Sequence, residues 1–289
     1  KLLLGSYLKE NKEEYYLSVL RQAEQIGDKS AIGNCLSVLG IYYTYDKGQY
    51  DKAIDYGNRS IKVHREIDNI IGVAKSYSRL GMTYVNKYDI SSSLYNFKQA
   101  LKIFEKFGYK LEERVTINSI ATVFRMQGDI QKSLEYYQNA YKLGKEFNQL
   151  TKLESAMYLG NIGSVYLFMG DLINASKYLN QSLKIRQELG DQHPIAHILY
   201  NIGVLHLYQD DNNKAVEYLE NTLSLSKGEL YGELEATIHL YLAYKNLGKE
   251  FDINKIYMLI KEKDNKAYKQ VIFDTNYRLY QLLEDKAYL

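Results

Sequence analysis

Cysteine and proline are all but absent from this chain. Among 289 residues there is one of each, Cys35 and Pro194. A single cysteine excludes an internal disulfide and a cysteine-built zinc site, and it fits a reducing compartment. With one proline there is almost nothing to interrupt a helix, and the plentiful Leu, Lys, Glu, Gln and Ala favour helix throughout. Strand signals are missing too, since no alternating Val, Ile and Thr run is closed by a hairpin dipeptide. Charge of one sign is nowhere concentrated: 37 basic and 35 acidic residues leave a net charge of +2, with no block of five like charges. The electrostatic footprint of a nucleic-acid or anionic-membrane binder is therefore lacking. No apolar run approaches the ~18–20 residues needed to cross a bilayer, and no signal-peptide pattern is visible. The chain opens on Lys1, so it reads as a soluble, cytoplasmic fragment or processed chain.

What is present is a hydrophobic content of 46%, thirty tyrosines, and a repeat. "LGNIGSVYLFMGDLINASKYLNQSL" from Leu159 returns forty residues later as "LYNIGVLHLYQDDNNKAVEYLENTL". A small residue following an apolar one recurs at Gly40, Gly81, Ala121, Gly163 and Gly203, with intervals of 41, 40, 42 and 40. A second small residue recurs at Ala53, Ser93, Ser133, Ala175 and Ala215, with intervals of 40, 40, 42 and 40. Two independent rulers thus give one period. Small residues at a crossing let two helix axes approach closely. Three residues after the first small residue stands a ring, Tyr43, Tyr84, Phe124, Tyr166 or His206, able to fill the space beside that contact. Gly48, Gly128 and Gly170 mark the turn between helices as left-handed C-caps, and Asp129 and Asp171 N-cap the next helix. Second helices are expected to end at Gly108 and Gly190, or at Asn69 and Asn148 where glycine is missing.

This pattern resembles the tetratricopeptide repeat, a helix-turn-helix unit that stacks into a right-handed superhelical solenoid of antiparallel helix pairs. A period of forty also suits HEAT or armadillo units, but the order small residue, ring, turn glycine, alanine is the tetratricopeptide one. The expected architecture is a single all-α solenoid over residues 1–289. Residues 1–32 form a partial N-terminal repeat, 33–227 five clear repeats, and 228–289 a degenerate repeat through Leu240, Tyr244 and Gly248 followed by a truncated one. The period exceeds the common ~34 residues. That length resembles the extended subgroup found in kinesin light chains, Rap-type peptide-sensing regulators and the repeat regions of bacterial signalling proteins. Turn chemistry is weaker in the second and fifth units, where Tyr88 and Asp210 replace glycine.

Catalytic signatures are lacking. Gly248-Lys249 has neither the upstream glycine nor the following Ser/Thr of a phosphate loop, and no nucleophile-histidine-acid pattern is present. His193 and His197 are spaced like metal ligands on one helical face, but Pro194 places His193 at or before the helix cap and no carboxylate joins them. No metal, cofactor or catalytic residue is expected, and the chain is not expected to be an enzyme.

The expectation falls instead on the groove lined by the first helices. Stepping by four, three and four along the stripe away from the packed one selects Asn34, Val38, Ile41 and Tyr45, then Lys75, Arg79, Met82 and Asn86. Further along it selects Val115, Ser119, Thr122 and Met126, then Met157, Asn161, Ser164 and Phe168, and finally His197, Asn201, Val204 and Tyr208. Amides offer both donor and acceptor, so Asn161 and Asn201, one repeat apart, could bracket a peptide backbone. The resemblance implies such a role, because peptide-binding members of the family use first-helix asparagines in this way. Lys75 and Arg79 would receive a carboxylate, and Met82, Met126, Phe168 and Tyr208 would give apolar contact. The bland alternative is that these asparagines join neighbouring helices. Two basic residues do not make the carboxylate clamp of chaperone-binding relatives.

The expected function is a non-catalytic interaction module that takes a peptide or helical segment of another protein, as the sensor part of a larger bacterial signalling protein. The alternatives are an array that regulates an attached histidine kinase or nucleotide cyclase in cis without a free peptide, and a homo-oligomer formed through the truncated last repeat. A Rap-type receptor would require a separate N-terminal helical domain, for which residues 1–32 are too short.

Overall fold

The computed structural model describes residues 11–190, 195–226, 230–264 and 279–283, and α-helices joined by short turns account for them, with no strand among them. Helix α1 (Lys12–Ile26) comes first among the described residues. Six pairs follow: α2 (Lys29–Tyr45) with α3 (Tyr50–Glu66), α4 (Ile70–Asn86) with α5 (Ile90–Phe107), and α6 (Lys110–Gln127) with α7 (Ile130–Glu146). Then come α8 (Lys152–Phe168) with α9 (Leu172–Leu189), α10 (Ile195–Tyr208) with α11 (Asn212–Leu225), and α12 (Leu230–Asn246) with α13 (Ile253–Asp264). The helices divide into two compact units, Lys1–Gln149 holding α1 to α7 and Leu150–Leu289 holding α8 to α13. Inside each unit a helix packs on its partner, and first helices also lie against first helices, α4 beside α2 and α6, and α10 beside α8 and α12.

The small-residue rulers mark the contact that holds each pair. A Cβ on Gly163 would stand 2.8 Å from Leu179 Cγ and 3.0 Å from the Leu179 backbone nitrogen. On Gly203 it would meet Leu219 Cγ at 2.7 Å, on Gly81 the Phe97 ring at 2.9 Å, and on Gly40 the Ala53 carbonyl oxygen at 3.3 Å. Ala53, Ser93, Ser133, Ala175 and Ala215 are all buried on the facing helices. The helices approach closely because a small residue on each leaves room at the crossing for the partner's backbone and for side chains such as Leu179, Leu219 and Phe97.

In four of the five clear repeats the ring three residues after the crossing has a ring partner on the facing helix. Tyr43 stacks on Tyr56 at 5.3 Å, Tyr166 on Tyr178 at 5.5 Å and His206 on Tyr218 at 5.5 Å, while Phe124 meets Tyr136 at 5.2 Å in a tilted pair. These partners lie three residues past the second ruler, a third series at the same period. Among the five clear repeats only the second breaks it, with Asn96 in the partner position. Such pairs contribute roughly 0.5–1.5 kcal/mol beyond the area they bury.

Turn chemistry follows the expectation with one correction. Gly48, Gly128 and Gly170 take the left-handed conformation, and so do Tyr88 (φ 61°) and Asp210 (φ 59°), which replace glycine without its freedom. Asp129 and Asp171 cap their helices, accepting from the amides of Lys132 and Asn174. Asn148 is left-handed as expected for a helix end, whereas Asn69 is not: Asp68 takes that conformation, and Asn69 caps α4 by accepting from the Gly72 amide. The two roles are one residue apart, and the side chain able to reach the third amide ahead takes the capping one.

After the five clear repeats comes a further helix pair, α12 and α13, whose Leu240, Tyr241, Ala243, Ile256 and Leu259 share one core. Leu279 and Leu282, in the helical residues 279–283, bury against the same core. Of the histidine pair singled out above, His193 lies with Pro194 outside the described residues.

Candidate functional site

The candidate surface is the exposed stripe of the first helices, taken separately for the two units. In the first unit the stripe is partly stitched down. Arg79 is half-buried and donates from Nη1 to Ser37 Oγ at 2.6 Å, tying α4 to α2, and burial lowers its pKa below the usual guanidinium value. Lys75 remains exposed but pairs with Glu112 of α6 at 3.3 Å. Thr44 and Thr83 share a buried hydrogen bond of 2.9 Å beside them. Met82 packs against the core around Phe97 and Ile120. Asn86 returns its amide to the Met82 carbonyl at 2.9 Å, and Ser119 bonds back to Val115 at 3.1 Å. Met126 is half-buried, whereas Asn34, Tyr45 and Val115 stand exposed along the same face.

The second unit presents a more open stripe. Phe168 is 66% exposed and Tyr208 39%, large apolar bodies at the ends of α8 and α10. Asn161 is half-buried with no side-chain hydrogen bond among the described residues, its main-chain carbonyl accepting from Ser164 at 2.8 Å. Asn201 differs. It is buried, and its amide donates to the His197 carbonyl at 3.0 Å, with His197 Nδ1 at 3.4 Å. The two asparagines share a repeat position but not a role: Asn201 is bonded to its own helix, and Asn161 makes no such bond among the described residues.

No group of three or more His, Cys, Asp or Glu able to hold a metal ion occurs among the described residues. Nor does any of their helices have the length and apolarity needed to cross a membrane. His206 and His64 serve packing. His206 stacks on Tyr218, and burial, opposed by Asp211 at 3.7 Å, lowers its pKa. His64 is buried against Gly33 and Gly72, where an added Cβ would come within 2.7 and 2.5 Å of its ring. Burial first, and then the charge of Arg79, lowers its pKa.

A feature not picked out in advance is a cleft of about 890 Å³ in the first unit, between the second helices α3 and α5 and floored by Tyr77, Leu80 and Tyr84 of α4. It opens where Asn96 interrupts the ring-pair series. The signal was in the sequence, but it becomes visible only once the partner series of Tyr56, Tyr136, Tyr178 and Tyr218 is known.

Comparison with known proteins agrees with this geometry. Residues 154–227 match the tetratricopeptide repeat family model. No curated protein matches the sequence. Among solved structures, the chain is similar to a Rap protein complexed with competence and sporulation factor, with a TM-score of 0.70 at 15% identity, covering 92% of this chain and 74% of that one. It is similar to aspartyl phosphate phosphatase F from Bacillus subtilis, with a TM-score of 0.69 at 15% identity, covering 92% and 68%. It is also similar to a signal transduction ATPase with numerous domains, bearing a tetratricopeptide repeat sensor, from Pyrococcus horikoshii: TM-score 0.68 at 17% identity, covering 94% of this chain and 41% of that one. At such identities the likeness concerns the fold. Period, small-residue contacts, turn chemistry and the family match over residues 154–227 converge on one fold: helix pairs of the tetratricopeptide-like kind, repeating about every 40 residues.

Proposed function

We propose that the first-helix face is a protein-interaction surface that takes a peptide or a helical segment of another protein, and that the chain acts in the cytoplasm as the non-catalytic sensing part of a signalling protein. The observation that carries this reading is the α8 stripe, where the uncommitted Asn161 amide sits one helical face with the strongly exposed Phe168. An exposed ring supplies contact area and an amide supplies directional bonds, the combination that interaction surfaces concentrate. Among the fold's relatives, a Rap protein is complexed with competence and sporulation factor, and a signal transduction ATPase uses a tetratricopeptide repeat sensor, which supports a role in recognition. In the first unit, Asn34, Lys75, Arg79, Met82, Asn86, Ser119 and Met126 form the corresponding surface; in the second, Ser164, His197, Asn201 and Tyr208 accompany Asn161 and Phe168. Arg79, Asn86 and Asn201 shape it rather than lead it, since their polar groups already serve the fold.

The test is affinity capture from source-cell lysate with the wild-type chain and an Asn161→Ala/Phe168→Ala variant, both verified as folded by circular dichroism. A partner captured by the first and lost by the second supports the surface. Identical captures, or none, overturn it and favour an array that regulates its own attached domain.

A further inference from the structure

We propose a second binding site, distinct from the first-helix face: the cleft between α3 and α5 receives an aromatic side chain of an acidic peptide segment, whose ring takes the place of the tyrosine missing at position 96. Where the repeat carries a second-helix tyrosine, that ring lies against the first-helix ring of its own unit, as in the pairs closed by Tyr56, Tyr136, Tyr178 and Tyr218. In the second unit Tyr84 keeps the first-helix position, but no ring contact engages it among the described residues. Asn96 leaves the slot unfilled because its amide turns back to the Ser92 carbonyl at 2.7 Å. Tyr84 and Asn96 both line the resulting cleft. The fold thus offers a ring-sized position, already framed by the geometry that other units fill for themselves, and a guest ring gains the same offset-stacked or edge contact.

Charge on the walls selects the guest. Lys62 and Arg65 line the cleft, and Glu66 is its one carboxylate. Glu66 is held by Lys29 at 3.0 Å, whereas Lys62 makes no ion pair among the described residues. Arg65 is oriented by donating to the Tyr77 hydroxyl at 2.5 Å, with its guanidinium 5.7 Å from the Tyr77 ring centre. That bond leaves other N–H groups of its fork for a carboxylate. A cleft of about 890 Å³ is far larger than one ring, so flanking backbone enters as well. Asn58 and Ser91 line it with polar groups suited to that backbone. An aromatic residue beside carboxylates, in an extended segment, is the guest whose chemistry meets all of these features.

The chain has no tryptophan, so a tryptophan probe is read without background. The experiment titrates acetyl-Glu-Glu-Trp-Glu-amide with the full chain and follows the probe's emission, which shifts to the blue as the indole leaves water. Saturable binding is expected, and acetyl-Glu-Glu-Leu-Glu-amide in excess should not displace it. Asn96→Tyr restores the missing ring, so it should melt no lower than wild type while weakening the probe by roughly tenfold or more. Lys62→Glu/Arg65→Glu, on exposed positions of α3, should weaken it comparably with the fold intact. Asn161→Ala/Phe168→Ala should leave it unchanged, which separates this site from the first-helix face. No saturable binding, equal displacement by the leucine peptide, or undiminished binding by the folded Asn96→Tyr or charge-reversed chain would each overturn the proposal.

Discussion

Replacing Gly163 by alanine tests the packing argument at its narrowest point. In a helix interior the change should help, since alanine is favoured over glycine by about 1 kcal/mol. Here the new methyl would lie 2.8 Å from Leu179 Cγ and 3.0 Å from the Leu179 backbone nitrogen. The side chain can rotate away, but the backbone nitrogen cannot, so α8 and α9 must separate by several tenths of an ångström. Overpacking of this kind costs about 1–3 kcal/mol. Set against the propensity gain, Gly163→Ala should destabilise by about 1 kcal/mol net, and Gly163→Leu, with three further carbons in the seam, by about 3 kcal/mol or more. Gly232 provides the control inside the same unit. It too is helical, but among the described residues an added Cβ there meets only Ser226 Oγ, at 3.9 Å. Gly232→Ala should therefore stabilise by about 0.5–1 kcal/mol. Urea unfolding followed by circular dichroism reads both, the midpoint shift giving the free-energy change when the slope is unaltered. Opposite signs are the result the contact geometry demands. If Gly163→Ala raises the midpoint as Gly232→Ala does, the glycine is not there for close approach, and the register built on it fails.

Three further outcomes follow from local features. Thr151 and Glu154 form a capping box at the start of α8, so Thr151→Ala should cost about 1 kcal/mol in the same urea assay, and an unchanged midpoint would remove the cap from the account. Asp210 holds a left-handed turn that glycine adopts freely, so Asp210→Gly should raise the midpoint, by about 1 kcal/mol. His64 makes stability depend on pH. Its folded pKa lies below the ordinary histidine value, so as pH falls through about 6.5 the unfolded chain takes up a proton that the native chain resists. Its contribution is complete above that pH and declines toward pH 5, with a slope of at most about 1.4 kcal/mol per pH unit. His64→Gln should flatten the dependence of the urea midpoint between pH 7 and 5, leaving the part due to His206; an identical slope would rule His64 out as a source.

Which features could be read from the chain alone depends on whether a residue's role is set by its own unit. Gly163, Ala175 and Tyr166 act within one helix pair, and the pair recurs, so spacing sufficed to place them. Asn69 was harder, because the left-handed residue and the capping residue are neighbours, and only the side-chain reach to Gly72 separates them. The first-helix stripe was legible as a face but not as a set of available groups. Whether an amide is engaged turns on its rotamer and on side chains one turn away: Asn161 and Asn201 occupy one repeat position, yet the Asn201 amide turns to the His197 carbonyl with the His197 ring beside it. The α3–α5 cleft lay furthest out of reach. It exists because one tyrosine is missing from a series, and a missing member carries meaning only after the contact it would have made has been seen four times elsewhere. A repeat protein provides its own controls in this respect. Each unit shows what the common packing requires, so a unit that departs from it while remaining folded marks a position where packing has released a residue for other use.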